Sequence, residues 1–562
     1  MKSKCLAPVL AVFVSGILLS TASEAAAQVT EQHLQDLIRE AAARAGVSQN
    51  LTTTPPSVQA VPGQADRPTI QLSLDDAIKL ALDKNLDISV QRLNPQTFDF
   101  SLANLRAVYR PTLTSTVSQQ SQTTPSTQTT SGGTVGTGIL QDTTTFNGGI
   151  AQNLPWGGGT FSGTLNGNRG TTTSTTALFN PNYNNNWSAV YTQPLMRNFD
   201  IDNNRQQLVV TKLNQDISEI QLQATIINTL SNVRNAYWDY VFAVQSVEVA
   251  KRSVELAEQL VRDNQTRVEV GTMAPIDVIQ AQSQAATQRQ NLAIAQGTLR
   301  TNELILKRLI VSGTQDPNWA SGIDPTDRPD FAPIQVDVTE AVRRALSART
   351  DLAQVKKNLE VNNVTLKYLK NQTLPQVDFT ARYTLVGQGG TQYVSSGNGV
   401  SRVVTDIIPG GYSDALQSLL RVDYPTWVFG INVSYPLGTS AQEASYARAQ
   451  LQSNQVEAQL RQIELQIATD VTNAATQVQN NIERVQAAQA AREFADRQRE
   501  AEQSKFEVGM STNYFVVQSQ RDLATAQNNE LQAILAYRRS VVELERLQQT
   551  STSTANITIL GR

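Results

Sequence analysis

The chain has 562 residues, of which 40% are hydrophobic and 17% charged, and its formal net charge is −3. A near-neutral chain without a basic stripe argues against nucleic-acid binding, because clustered Lys and Arg are needed to hold phosphates. The sequence contains one histidine, His33, and one cysteine, Cys5. The chain after Cys5 therefore has no cysteine that could act as a nucleophile. Without metal-ligand spacing, a nucleophile motif or a phosphate loop, we predict no enzyme, no metal and no cofactor.

The N-terminus has the layout of a secretory signal peptide. Lys2 and Lys4 precede an apolar run that starts at Cys5, and small residues follow up to Ala27. This order predicts a cleaved signal peptide over 1–27, with an uncleaved membrane anchor as the alternative. Cys5 lies at the start of the apolar run rather than after it, so it is not placed as a lipoprotein cysteine.

After the signal peptide, residues 28–72 are predicted to form a short amphipathic helix and then a flexible linker, because 47–68 are rich in Thr, Pro, Ser and Gln. No later stretch reaches the roughly 18–20 apolar residues of a membrane helix. An exported chain of this kind is either soluble or crosses a membrane as β-strands.

Two long helices dominate the pattern. Residues 203–270 and 441–508 each lack proline and glycine and repeat apolar residues at steps of three and four. At 1.5 Å per residue each would be a rod of roughly 100 Å. A rod of this length needs parallel neighbours along its whole course, because one small globular core cannot enclose it.

The chain also reads as a tandem repeat. Ala77, Ala81 and Pro111 align at one constant offset with Ala341, Ala345 and Pro375, and Val270-Gly271 aligns with Val508-Gly509. The predicted divisions are repeat 1 over 73–330, repeat 2 over 331–549 and a C-terminal tail over 550–562. Repeat 1 has strands within 110–196, the long helix 203–270 and a return helix 275–310; repeat 2 has strands within 375–437, the long helix 441–508 and a return helix 512–548.

Period-2 alternation marks the strands of repeat 2. Apolar residues alternate with polar or small ones from Val377 to Leu385 and again from Trp427 to Tyr435. About ten residues is the length of a membrane-spanning strand, and aromatic residues at strand ends suit the membrane interface. A half-buried hairpin of a soluble protein is the alternative. A short helix is predicted between these strands at 413–420.

Repeat 1 is less regular. Strands are predicted at 111–119 and 187–191, and an additional hairpin at 150–154 and 161–165 turns at Gly157-Gly158-Gly159. The connections 119–143 and 166–186 are rich in Ser, Thr, Gly and Asn and are predicted to be exposed loops. The pattern gives the additional hairpin no place in a sheet.

The turns after the long helices are built alike. Gly271 and Gly509 are expected to be left-handed cap residues. Pro275 suits the first turn of one return helix, Ser511 or Thr512 can cap the other, and Asp277 lies where the helix dipole favours a carboxylate. Turn formation alone explains these residues, so a further role needs other support.

Four motifs resemble those of the TolC-like outer-membrane efflux proteins. They are Arg267-Val-Glu-Val-Gly271-Thr-Met-Ala-Pro-Ile-Asp277-Val, Lys505-Phe-Glu-Val-Gly509-Met, Gln193-Pro194-Leu195 and Ala236-Tyr-Trp-Asp-Tyr240. The resemblance spans about 73–549 and rests on the order and spacing of the motifs across both repeats.

This resemblance implies a mainly α fold with membrane β-strands, located in the outer membrane with a large periplasmic portion. It implies a homotrimer in which each chain gives four strands to a shared 12-stranded transmembrane β-barrel, in contact with outer-membrane lipid. Antiparallel helical hairpins, packed as in coiled coils, form a periplasmic α-barrel. The channel would be the exit duct of a tripartite export system, joined through a periplasmic adaptor protein to an inner-membrane pump of the RND or ABC type.

The resemblance also assigns roles at the turns. The adaptor would dock at Val270, Gly271, Thr272, Val508, Gly509 and Met510. The periplasmic gate would include Asp277, Phe506, Ser511, Phe515 and Gln518, although Ser511 stands where the family has an arginine and Phe515 and Gln518 stand where it has aspartates. We therefore expect closure by three-fold apolar packing of Phe515 beside Gln518. The alternative is that Phe515 only packs between helices.

A structural protein is the other functional class that the pattern allows: a periplasmic coiled-coil spacer anchored in the outer membrane. Two matched hairpins and ten-residue amphipathic strands favour the channel, because a spacer needs no interior. Drug efflux and type I protein secretion use the same outer component, so the sequence names neither the substrate nor the pump.

Overall fold

The computed structural model describes residues 36, 39, 68–125, 138–328, 331–396, 403–438 and 440–550. The predicted signal peptide 1–27 lies outside the described residues, as does the C-terminal tail from 551 onwards. Of the predicted N-terminal helix only Asp36 and Arg39 are described, and both are helical. Among the helices of the described residues, none has the length and apolarity needed to cross a bilayer.

Helices and strands follow in blocks, twice. The helices are α1 (Leu74–Lys84), α2 (Leu86–Ala107), α3 (Asn203–Glu269), α4 (Pro275–Ile310), α5 (Pro317–Ala320), α6 (Val338–Ala348), α7 (Thr350–Gln372), α8 (Tyr412–Arg421), α9 (Ala441–Glu507) and α10 (Asn513–Gln548). The strands are β1 (Thr69–Leu72), β2 (Thr112–Pro125), β3 (Gly138–Asn153), β4 (Thr160–Thr172), β5 (Phe179–Pro194), β6 (Gly322–Pro325), β7 (Gln376–Ser396), β8 (Val403–Ile408) and β9 (Tyr424–Ser434). The two long helices and both return helices thus begin and end within one residue of the predicted positions, and α8 is the short helix expected at 413–420.

The chain divides into two compact units. Among the described residues, the first unit comprises those up to Thr97, Asp216–Lys356 and those from Ala458 onwards. The second unit comprises Phe98–Gln215 and Lys357–Glu457.

The first unit has a large hydrophobic core in each repeat. Ala77 and Ala81 of α1 are both fully buried in a core that also contains Leu230 and Tyr237 of α3. Ala341 and Ala345 of α6 occupy the matching places in a second core with residues of α9 and α10. Small residues at these aligned positions let α1 and α6 pack closely on the helices beside them, which is why both repeats have alanine there. The two repeats inferred from the sequence fit this arrangement.

A short strand follows the linker predicted over 47–68. Residues Thr69–Leu72, the last of the predicted N-terminal segment 28–72, form β1 and pair in parallel with β6. The Tyr237 hydroxyl donates to the carbonyl oxygen of Leu72 at 3.0 Å, and the Tyr240 hydroxyl donates to that of Ile323 at 2.5 Å. Burial raises the pKa of both phenols well above the usual value. These contacts stabilise β1, because four residue pairs between β1 and β6 would not be enough to hold the strand.

The second unit contains a seven-stranded antiparallel sheet in the order β2-β3-β4-β5-β7-β8, with β9 also paired to β7. The additional hairpin therefore has a position in this sheet, because β3 and β4 lie between β2 and β5. The resemblance implies four strands per chain, whereas this sheet has seven. The number of strands that each chain gives to a trimeric barrel stays a prediction. Helix α8 packs on β7, where Gly387 leaves the space that the backbone of Ala415 occupies.

The strands also extend well into the segments predicted to be loops. β2 continues to residue 125 and β3 starts at 138, where a loop was expected over 119–143. β4 continues to 172 and β5 starts at 179, where a loop was expected over 166–186. These parts are mostly polar on both faces, so backbone hydrogen bonds to the neighbouring strands, rather than alternating burial, keep them extended.

Candidate functional site: the helix tips and the two-faced sheet

Both long helices end in the same left-handed turn. Gly271 and Gly509 have φ of 78° and 80°. The Thr272 N–H donates to the carbonyl oxygen of Arg267 at 2.9 Å, and the Met510 N–H donates to that of Lys505 at 2.8 Å. This pairing of the second residue after the cap with the helix's last turn is the Schellman motif, and it satisfies carbonyls that the helix end leaves free.

The predicted docking residues project from these turns. Val270 is 68% exposed, Val508 70% and Met510 79%. Each repeat thus presents an apolar side chain beside a glycine at an equivalent position of its turn. Exposed apolar residues at matching turns are typical of a contact surface for another protein.

Phe506 lies inside the tip rather than on its surface. It is 3% exposed and packs with Leu260, Ala281 and Val516, so all four helices of the tips meet at this ring. The Arg267 guanidinium lies 4.3 Å from the ring centroid and donates to the Phe506 carbonyl oxygen at 3.3 Å. An arginine from the other repeat therefore stacks on the aromatic residue.

A buried amide bridge joins the two repeats just above this cluster. Asn264 of α3 is fully buried and donates its side-chain N–H to Asn513 Oδ1 at 2.8 Å. Asn513 in turn donates to the main-chain carbonyl of Asp277 at 3.3 Å. The bridge thus connects α3, α10 and α4 through groups that do not titrate.

Ser511 belongs to a separate polar group. Its hydroxyl donates to Glu502 Oε2 at 2.8 Å, and Lys505 lies 2.7 Å from Glu502 Oε1. The hydrogen bond from Lys505, followed by that from Ser511, lowers the pKa of the Glu502 carboxyl. The serine at the predicted gate position thus fastens the second turn to the helix that precedes it.

Phe515 and Gln518 stand apart from the other predicted gate residues. Phe515 is 54% exposed and contacts Tyr514 edge-on at 5.5 Å, while Gln518 Nε2 donates to Asp522 at 2.9 Å. Within the described residues, no hydrogen bond or ring contact joins either of them to Phe506 or Ser511.

Three side chains at the tips carry contacts that sequence reasoning missed: Arg267, Asn264 and Glu502. Asn264 follows the buried residues Ala257 and Leu260 at helical spacing. A polar residue on a buried stripe is the signal that could have revealed it. Within the described residues, no group of three or more His, Cys, Asp or Glu side chains is arranged to hold a metal ion.

We predict that Gly509→Ala loosens the second tip. A Cβ at this left-handed position costs roughly 1–2 kcal/mol, although nothing lies within 4 Å of it. Native-state hydrogen exchange of the amides around 505–513 should therefore accelerate about 5- to 30-fold. Gly297→Ala is the matched control, because this glycine lies inside α4 with open space around it. Equal exchange in both variants would contradict the role of the turn.

The second candidate surface is the sheet, whose two faces differ along rows that run through β2, β3, β4, β5, β7 and β9. Directly opposed residues share a face, so rows can be followed across the register. One row reads Leu113, Ile150, Gly163, Ala189, Tyr383, Trp427. The next row reads Thr114, Gly149, Thr164, Ser188, Thr384, Thr426. In these two rows one face of the sheet is therefore apolar or small and the other is polar or small.

Aromatic contacts reinforce the apolar face. Phe379 and Phe429 stack with ring centroids 6.2 Å apart, and Trp187 meets Tyr383 edge-on at 6.2 Å. The face is open rather than covered at the sheet's edges, where Leu113 is 81% exposed and Trp427 68%. An apolar face of this extent requires an apolar environment outside the chain.

Comparisons with solved structures support the fold. The chain is similar to CusC (14% identity, TM-score 0.60, covering 88% of this chain and 96% of that chain). It is similar to the outer-membrane channel OprN (13% identity, TM-score 0.59, 90% and 98%). It is also similar to the CmeC outer membrane channel of Campylobacter jejuni (13% identity, TM-score 0.59, 92% and 99%). No curated protein matched the chain in sequence.

The family comparison is independent of these folds. The model of the outer membrane efflux protein family matches residues 160–311 and 341–548, which is more than half of the chain. The matched segments contain both long helices, both turns and most of the sheet. The chain therefore belongs to the outer membrane efflux protein family and resides in the outer membrane with a large periplasmic portion, as its sequence predicted.

Proposed function

We propose that this efflux protein is the exit duct of a tripartite export system. Three copies form a tunnel, with the helical hairpins as its periplasmic wall and the sheets as its outer-membrane wall. The repeats 73–330 and 331–549, preceded by the cleaved signal peptide 1–27, are the parts from which each copy is built. The chain moves its substrate without chemistry, so we expect no enzymatic activity.

The two-faced sheet is the observation that carries this proposal. Lipid tails offer no hydrogen-bond partners, so a membrane-spanning sheet must present apolar side chains outwards and close its edges. A row such as Leu113 to Trp427 meets the first requirement, and the polar row beside it would line an aqueous interior. A spacer that only anchors a rod in the membrane has no need for a polar second face.

The exposed turns supply the contact to a periplasmic adaptor. Val270, Gly271 and Thr272 in the first turn, and Val508, Gly509 and Met510 in the second, form the docking surface of the proposal. Because the two turns share one backbone geometry, three copies would offer six similar docking points. The adaptor would link them to an inner-membrane pump of the RND or ABC type, for drug efflux or type I secretion.

Planar bilayer recording tests the duct. The purified mature protein should insert and give discrete, equal conductance steps, and electron microscopy of the same sample should show three-fold hollow particles. A spacer would give solid particles and no conductance steps, which would overturn the proposal.

We further propose that Phe515 closes the periplasmic end. Its ring is 54% exposed in the single chain, so it is free to pack against the same residue of two other copies. Phe515→Ala should raise the open fraction, and with it the mean conductance, about fivefold, since removal of an apolar contact of ~1 kcal/mol shifts an equilibrium by that factor. Phe494→Ala is the control, because Phe494 is also exposed, at 67%, but lies in the interior of α9. Equal conductance of Phe515→Ala and the parent would assign the ring to packing alone.

A further inference from the structure

The sheet of one chain offers six positions across its width, although it has seven strands. Gln392 of β7 pairs with Phe179 of β5 on one side and with Ile408 of β8 on the other. β9 pairs with the first half of β7, on the side that β5 does not occupy. β8 and β9 therefore lie one above the other along β7 and fill a single position.

The additional hairpin is an integral part of these six positions. β3 has 16 residues and β4 has 13, more than the roughly ten of a membrane-spanning strand. Their turn is tied to the base of β5, where Gln193 Nε2 donates to the Gly157 carbonyl oxygen at 2.7 Å. β3 and β4 also continue both faces of the sheet, so neither strand interrupts the apolar row or the polar row.

Both outer edges of the sheet are unpaired among the described residues. Every residue of β2 is exposed, and so are ten of the eleven residues of β9. Open edges of this length, flanked by apolar side chains, are unstable in a membrane because their N–H and C=O groups have no partner there. Six positions are too few for the chain to close on itself, since about eight strands are the smallest closed sheets.

The directions of the two edge strands indicate that the partner of each edge is another copy of this chain. The five pairings from β2 through β3, β4, β5 and β7 to β9 are all antiparallel. With six positions, β2 and β9 run in opposite directions, so β9 of one copy can add antiparallel to β2 of the next. The apolar face of β9, from Trp427 to Val433, then lies on the same side of the sheet as Leu113 and Val117 of β2.

Resting on the three-copy assembly of the proposed function, we infer that the sheet closes through β9–β2 pairing into a barrel of eighteen strands, six from each copy. Because barrel diameter grows about linearly with strand number, this barrel is roughly 1.5 times as wide as one of twelve strands. Closed sheets of 16–18 strands enclose an aqueous channel. The hairpin β3–β4 thus determines the width of the outer-membrane opening.

Electron microscopy that resolves strands is the direct test. Three-fold particles with eighteen strands in the membrane region are the expected result. Three-fold particles with twelve strands and β3–β4 folded away would overturn the inference and leave the proposed function intact. Particles without a three-fold closed sheet would overturn both.

Disulfide cross-linking tests the edge pairing independently. In a Cys5→Ser background, Val117→Cys on β2 is combined with Trp427→Cys, Phe429→Cys or Ile431→Cys on β9, which all lie on the apolar face. At least one combination should give cross-linked dimers and trimers on non-reducing gels, whereas the single variants should give no trimer. If no combination cross-links while Val117→Cys with Phe146→Cys closes within the chain, the β9–β2 pairing is wrong.

The width of the channel is measured in planar bilayers from the largest polymers that can enter it. A deletion of 138–172 removes β3 and β4 and leaves β2 and β5 in opposite directions, so a narrower barrel can form. The parent should admit polyethylene glycols about 1.5 times larger in radius than the deletion variant admits. Equal exclusion limits in two channels whose trimers are intact would overturn the assignment of width to the hairpin.

Discussion

Phe429→Arg should abolish assembly in the outer membrane, while Asn432→Arg, three residues along the same strand, should be tolerated. Phe429 lies on the apolar face, stacks on Phe379 and is 65% exposed. Asn432 pairs with Asp378 on the opposite, polar face. An arginine facing lipid near the middle of the bilayer costs about 2–4 kcal/mol, whereas one facing an aqueous interior costs little.

The expected result is at least a tenfold loss of folded, membrane-inserted protein for Phe429→Arg, measured as the heat-modifiable fraction on gels of outer-membrane preparations. Phe429→Leu is a second control, because it keeps the face apolar and should retain most of the parent level. If both arginine variants insert equally well, the apolar face is not the lipid-facing one. If both fail, β9 is sensitive to charge on either side and the two-faced assignment is wrong.

Glu303→Gln should destabilise the first unit more than a substitution at an exposed ion pair. Lys307 of α4 is 1% exposed, its Nζ lies 2.6 Å from Glu303 Oε1, and it also donates to the Trp319 carbonyl oxygen at 3.2 Å. The substitution leaves a buried ammonium without its countercharge, which costs about 3–5 kcal/mol. Thermal denaturation in detergent, followed by circular dichroism, should show a clearly lower midpoint.

The control is Glu258→Gln. Glu258 forms a 2.7 Å pair with Arg289 on the surface of the same unit, and exposed pairs of this kind contribute less than about 1 kcal/mol. The double variant Glu303→Leu with Lys307→Met should regain most of the loss, because it removes both charges and keeps the volume filled. A double variant as unstable as Glu303→Gln would show that packing, not the buried charge, determines the effect.

The helices could be predicted from the sequence almost to the residue, and the strands only in part. Long apolar stripes and the glycines at 271 and 509 determine where α3 and α9 end, since both signals are local. The strand segments around Asn184 and Thr143 are polar on both faces, so alternation cannot reveal them. Their extended form depends on neighbours that the fold supplies, and this is why the width of the sheet was underestimated.

The structure of the helix tips could likewise be predicted only in part. The turn geometry was predictable, whereas the contacts between the repeats were not. Asn264 and Asn513 are 249 positions apart in the sequence, and Arg267 and Phe506 are 239 apart. Such pairs become visible only when the four helices are packed. Phe515 and Gln518, which the resemblance placed at the gate, remain a prediction because their partners would be other copies of the chain.

The hairpin β3–β4 also limits how such a protein can change during evolution. An insertion that enters and leaves the sheet at the same end adds two strands and preserves the directions of β2 and β9. A single added strand would make the outer edges parallel and prevent antiparallel closure between copies. Duplication or loss of whole hairpins is therefore the permitted step, and the opening in the membrane can widen or narrow while the two helical repeats stay unchanged.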